Sequence, residues 1–193
     1  MQKELAKAVD TVSGTVEKKV NGLERAMAGG VFTVTCHDKD GNLKWEERNH
    51  NLVVNQGLQD MNTKYFTGSG YTAAWYIGLV QGPASGTSFA AGNTMSSHSG
   101  WTEDTNYSGN RKTATFGTAT TADPSVINNS ASPAQFSMTG TTTIAGAFLT
   151  NDPTKGDTTG ILFSASDFQS PGDRSVVNGD VLNVTYQFSL DAA

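Results

Sequence analysis

The sequence predicts a mainly β fold: an antiparallel, jelly-roll-like β-sandwich of about eight strands with one short packed helix, preceded by an N-terminal amphipathic helix. Three observations predict it. Apolar residues alternate with Thr, Ser and Asn along short segments, most clearly in "DVLNVTYQFSL" (180–190), where Leu182, Val184, Tyr186 and Phe188 share one face and Asn183, Thr185, Gln187 and Ser189 the other. Turn-rich stretches such as "TNDPTKGDTTG" and "SPGDRSVVNGD" separate those segments. Helical spacing is confined to two places, residues 3–27 and 55–66.

Residues 3–27 carry Leu5, Val9, Val12, Val16, Val20, Leu23 and Met27 at steps of three and four, a single helical stripe. Val9, Val16 and Leu23 fall on one heptad position and Leu5, Val12 and Ala26 on the other, but Lys19 interrupts the second. Gly14 and Gly22 each cost about 1 kcal/mol of helix stability against Ala, so this helix needs a partner surface. Its own β domain, further copies of itself, or another protein would supply one. Gly29-Gly30 reads as a helix stop and hinge, which divides the chain into an N-terminal helix (1–28) for oligomerisation or docking and a β-sandwich domain (29–193).

A hairpin follows. Val31, Thr33 and Thr35 alternate against Phe32, Val34 and Cys36, the chain turns at Asp40-Gly41, and it returns through Leu43 and Trp45. The stretch "NHNLVVNQGLQDMNTKYF" (49–66) then predicts a helix of about three turns, with Asn55 as N-cap and Gly68 as stop. Leu58, Met61, Tyr65 and Phe66 make its apolar face, expected to plug one open end of the core. Further strands read at 73–80, 112–119, 134–140, 142–150, 160–165 and 180–190. Residues 81–111 form a long, weakly patterned excursion containing Trp101 and Tyr107, which either present a protein or glycan contact or tuck beneath the loop.

Charge narrows the function classes. Only 16% of residues are charged, and the formal net charge is −5, so the chain lacks the clustered Lys and Arg that a phosphate backbone requires; no nucleic-acid partner is expected. Lys18-Lys19 and Arg111-Lys112 are the two basic pairs, each read as a solvated edge. No apolar run approaches the length of a bilayer span, and "MQKELAKAVD" is charged, so no membrane partner is expected and cytoplasmic synthesis is the default.

Motifs that carry chemistry are missing. The single cysteine, Cys36, sits in an alternating strand and reads as a small buried hydrophobe. His37, His50 and His98 lack ligand spacing, and there is no nucleophile elbow, P-loop, dinucleotide fingerprint or EF-hand loop. Glu46-Glu47 and Glu103-Asp104 are adjacent and on a strand would point apart. Asp152 with Asp157, and Asp173 with Asp180, sit in turns that could hold a weak Ca²⁺, although turn chemistry accounts for them more simply. No catalytic, metal-binding or cofactor-binding residue is assigned, and no cofactor is expected.

The combination of an N-terminal helix, a Thr/Ser/Gly-rich β domain and the phrases "NHNLVVNQGLQDMNTKYFTGSGYTAAWYIGLV" (49–80), "TIAGAFLTNDPTKGDTTGILFSA" (143–165) and "NGDVLNVTYQFSL" (178–190) resembles virion structural proteins of tailed bacteriophages. Within that group it is most similar to head decoration, cement or head-fibre proteins. The resemblance implies a non-enzymatic subunit repeated on the capsid surface of the virion, made in the host cytoplasm. It also implies the major capsid protein as partner and a homo-oligomer, with a trimer favoured. Leu5, Val9, Val12, Val16, Val20 and Leu23 would then form the interface. A tail, baseplate or fibre component is the alternative, as is a host-surface-binding module using Trp101 and Tyr107.

Overall fold

The computed structural model describes residues 26–68, 71, 73–82, 89–169 and 172–192, which contain twelve strands and one helix. Two antiparallel sheets face each other, as the alternating pattern predicts. The count exceeds eight because four strands of two to four residues lie in segments read as connections: β3 (Leu52–Val53), β5 (Thr102–Asp104), β7 (Ser125–Asn128) and β11 (Arg174–Val176). Segments that short carry too few alternations to be seen in a sequence.

The first sheet is built on β1 (Ala26–His37), flanked by β2 (Leu43–His50) and β12 (Val181–Ala192). The far edge of β12 pairs with both β7 and β8 (Ala134–Ser137). The β1–β2 hairpin closes at Asp38, whose Oδ1 accepts the backbone N–H groups of Asp40 and Asn42 at 2.9 Å. Phe32, Val34 and Cys36 point into the core and are fully buried.

Gly29 and Gly30 correct the expected helix stop and hinge. β1 is continuous from Ala26, and Gly29 and Gly30 pair with Ser189 and Phe188 of β12. A Cβ on Gly30 would lie 2.6 Å from the Gln187 carbonyl oxygen and 2.8 Å from Asn51 Oδ1, so glycine is required there by close approach rather than by a change of direction. Ala26 and Met27, read as the end of the helical stripe, are likewise strand residues. Leu5, Val9, Val12, Val16, Val20 and Leu23 lie outside the described residues.

The second sheet runs β3–β10–β9–β4–β5, with β10 at Leu162–Asp167, β9 at Thr142–Thr150 and β4 at Tyr76–Gly82. β6 (Lys112–Thr113) is all that forms of the strand expected at 112–119. This sheet is covered on both faces. Ile77, Leu79, Ile144 and Leu149 meet the first sheet, while Val80, Ala145, Phe148 and Leu162 make a second core with Met95 and Trp101. Burial on both faces is why "AAWYIGLV" and "TIAGAFLT" read as nearly continuous apolar runs.

Candidate functional site

The helix α1 (Asn55–Thr67) forms where the sequence places it, but it does not plug the core with its large side chains. Val54 occupies the N-cap in an extended conformation without a side-chain cap, and Asn55, expected as the cap, is the first helical residue. The N–H of Asn55 donates instead to the Ala91 carbonyl at 2.8 Å. Gln56 Oε1 accepts the Leu162 N–H at 2.9 Å, tying the first turn to the edge of β10. Gly57 is the buried residue of the helix: a Cβ there would stand 2.4 Å from the Phe163 carbonyl oxygen, so only glycine lets the helix backbone lie on β10. Gly68, left-handed at φ 62°, ends it as expected.

Seating the helix through Gly57 turns the expected apolar face outward. Met61 packs against the core, but Leu58 is partly exposed, Tyr65 is 83% exposed and Phe66 78%. The two rings meet edge to face at 4.9 Å on the final turn. Spacing shows which residues share a face; it does not show which face a small residue will dock.

Beside α1 a cleft of about 300 Å³ enters between the sheets. Leu149 and Phe163 of the second sheet form one wall, Ile127, Tyr186 and Phe188 of the first sheet form the other, and Phe116 and Trp75 lie between. The rings form a connected series: Trp75 to Phe163 at 5.2 Å, Phe163 to Phe188 at 5.4 Å, and Phe116 to Tyr186 at 6.1 Å. The phenol and indole groups in this lining are hydrogen-bonded. Tyr186 Oη takes hydrogen bonds from Asn51 Nδ2 at 3.0 Å and Ser164 Oγ at 3.2 Å, and Trp75 Nε1 donates to Tyr71 Oη at 2.7 Å. Burial raises the pKa of both phenols, so they stay protonated at neutral pH. Asp60 and Lys64 of α1 supply charge, with Lys64 Nζ 5.2 Å above the Tyr71 ring. This chemistry suits the docking of an apolar chain segment or surface.

Trp101 and Tyr107 resolve toward the tucked alternative. Trp101 is 4% exposed, stacked on His98 at 3.9 Å and packed on Phe148 and Phe89, with Nε1 donating to Asn93 Oδ1 at 3.3 Å. Tyr107 is 1% exposed, edge-on to Phe136 at 4.9 Å, and donates its hydroxyl to Glu103 at 3.1 Å. Neither can touch a glycan or partner from these positions.

Arg111 also departs from its expected solvated place. Its side chain is fully buried, with Nε and Nη2 donating to the two Glu103 oxygens at 3.0 and 2.8 Å. Nη1 reaches the Asp152 carbonyl at 3.1 Å and Nη2 the Asp157 carbonyl at 2.7 Å. Lys155 Nζ adds bonds to the carbonyls of Thr105 at 3.0 Å and Tyr107 at 2.6 Å. Together these contacts bind the end of the long excursion to the 151–160 turn.

The acidic turns are explained by local bonding. Asp152 and Asp157 accept the N–H groups of Thr154 and Thr159 at 2.7 and 3.0 Å. Asp180 is buried, paired with Lys44, and accepts the Val177 N–H at 2.9 Å. Among the described residues, no group of three or more His, Cys, Asp or Glu is placed to hold a metal ion, and no helix is long and apolar enough to cross a membrane.

The cleft was not assembled from sequence. Tyr186 and Phe188 are visible there as the apolar face of the last strand and Phe116 within the strand expected at 112–119, but only the topology brings them together with Ile127 at one open end beside α1. No protein family, curated protein or solved structure matches the chain.

Proposed function

We propose that the protein is a non-enzymatic structural subunit of a tailed-bacteriophage particle, decorating and stabilising the capsid surface through its N-terminal segment and one end of its β domain. One observation supports the reading beyond the resemblance of its sequence: α1 holds Tyr65 and Phe66 out in solvent, next to a mainly aromatic and aliphatic cleft whose phenol and indole groups are hydrogen-bonded. Large apolar side chains held outward on a rigid element are the usual mark of a protein contact surface. A weak contact suffices for this use, because many copies on a symmetric lattice act together, and binding only the assembled shell stabilises it by linkage.

Co-sedimentation with emptied, expanded shells of the parent particle tests the proposal. The full chain should pellet with the shells, and Tyr65→Ser with Phe66→Ser should weaken that by about tenfold without unfolding the protein, the loss of about 1.4 kcal/mol expected when two aromatic contacts go. A chain that ignores shells but is recovered with purified tails would replace this reading with the tail or baseplate alternative. Equal binding by the substituted chain would remove α1 from the contact.

A further inference from the structure

A second cleft, of about 270 Å³, shares no residue with the one beside α1. It opens where the chain crosses from the first sheet to the second, at His50–Leu52, between the end of β10 and Phe89 of the long excursion. Bonding fixes its frame: Leu52 pairs with Ala165 between β3 and β10, Ser166 Oγ donates to the His50 carbonyl at 3.2 Å, and the Gln169 N–H donates to Asn49 Oδ1 at 3.1 Å. Two kinds of surface meet there. Phe89, backed by Trp101 at 5.4 Å, supplies apolar area together with Leu52 and Ala165, while Asp167, Gln169 and His50 supply hydrogen-bonding groups. Asp167 sits there at a cost. Among the described residues no lysine, arginine or histidine pairs with it, and burial followed by the like charge of Asp173 raises its carboxyl above the usual carboxylate range. A carboxylate kept in a cleft against the interest of stability points to what binds there rather than to packing.

We infer that this cleft binds a neutral hexopyranose unit of a glycan, with the C–H face of the sugar on Phe89 and its hydroxyls on Asp167, Gln169 and His50. The mixture of chemistries selects the class. An ammonium or guanidinium group only donates and an anion only accepts, whereas this lining sets a carboxylate acceptor beside an amide and an imidazole that can both donate. A sugar hydroxyl does both, and a pyranose ring carries an apolar C–H face, suited to the negative face of an aromatic ring, next to a polar edge. Hydroxyls donating to Asp167 would replace the water it has lost with charge-assisted hydrogen bonds. Size agrees, since 270 Å³ falls just below the range that begins at about 300 Å³ for drug-sized ligands and suits a single ring. The long excursion then does present a contact, through Phe89 rather than through Trp101 or Tyr107. Each site would bind weakly, with a Kd of about 1–10 mM, and copies repeated on one particle would add avidity. The inference uses no residue of α1 or of the cleft beside it, so it stands or falls apart from the proposed capsid contact.

NMR titration of the isotope-labelled full chain at neutral pH with the methyl glycosides of glucose, galactose, mannose, N-acetylglucosamine and N-acetylgalactosamine tests it. At least one should shift the backbone amide signals of residues 50–52 and 165–169 while leaving those of α1 unmoved. Asp167→Asn removes the costly charge and so should fold at least as stably at that pH, yet it should weaken binding by about tenfold. Gln169→Ala, at an exposed side chain, should weaken it by about threefold. No shift with any of the five glycosides, or unchanged binding by Asp167→Asn, would overturn the inference. Methylammonium or Ca²⁺ moving the same signals where no glycoside does would reassign the cleft to a cation and overturn it. Binding of the free hexoses without their glycosides would assign it to a soluble sugar rather than a glycan, and would overturn it too.

Discussion

Replacing Arg111 by Met should cost about 3–5 kcal/mol, because it leaves Glu103 buried without its counter-charge. The structure sets the scale. Arg111 makes four hydrogen bonds, two to Glu103 and two to the carbonyls of Asp152 and Asp157, and its guanidinium lies 5.3 Å from the Phe148 ring centre. Tyr107 Oη and the Gly156 N–H still donate to Glu103 when Arg111 is gone, which places the expectation toward the lower end, about 3 kcal/mol. With a urea slope of about 2 kcal/mol per molar, the unfolding midpoint should fall by about 1.5 M. Arg111→Lys should recover only part of this, since an ammonium cannot make two parallel bonds to a carboxylate while holding two carbonyls. Removing both charges, in Arg111→Met with Glu103→Leu, should recover at least about 1 kcal/mol relative to Arg111→Met alone. Urea titrations of the four chains at low and high salt provide the assay. A shift below about 0.3 M, or one that vanishes in 1 M salt where the screening length is about 3 Å, would mean that Arg111 is a solvated surface charge and would refute the reasoning.

Three further outcomes are expected. Gly57→Ala, which would gain about 1 kcal/mol in an open helix, should instead destabilise by about 1–2 kcal/mol because its methyl meets the Phe163 carbonyl; stabilisation would show that α1 is not seated on β10. Burial, with Asp180 as the next contributor, pushes the Cys36 thiol up to about 12, so a thiol reagent at pH 8 should label the protein only as fast as it unfolds; prompt labelling of native protein would contradict the packing. Burial and then Asp173 raise the Asp167 carboxyl to about 6. Its folded pKa lies above the unfolded value of about 3.9, so its contribution to stability is complete below that value and is lost as pH rises through about 6. Asp167→Asn should therefore match the parent near pH 4 and become the more stable chain by pH 7, as followed by thermal melts; a pH-independent difference would refute this.

Glycine is where sequence reading diverges most from structure. A Gly-Gly pair after a helical stripe signals a cap, yet Gly30 is there because the Gln187 carbonyl and Asn51 crowd its position within a strand. Gly57 looks like a weak point in a short helix, yet it is the residue that docks the helix. In each case the required contact comes from more than 100 residues away or from a neighbouring strand, and nothing local encodes it. Arg111 shows the same limit for charge: its partners Asp152 and Asp157 are about 40 positions distant, and without them a basic pair in a loop looks solvated.

The sequence by itself determined what local periodicity and turn chemistry can determine: the antiparallel β class, the hairpin at Asp40-Gly41, the position and stop of α1, and the burial of Cys36. Those features depend on side-chain alternation and backbone preference within a few residues. Tertiary structure alone decided that Trp101, Tyr107 and Arg111 are interior, that the second sheet is covered twice, and that Tyr65 and Phe66 face solvent beside an apolar cleft. Which face of an element is buried is set by what packs against it, and that partner lies far along the chain.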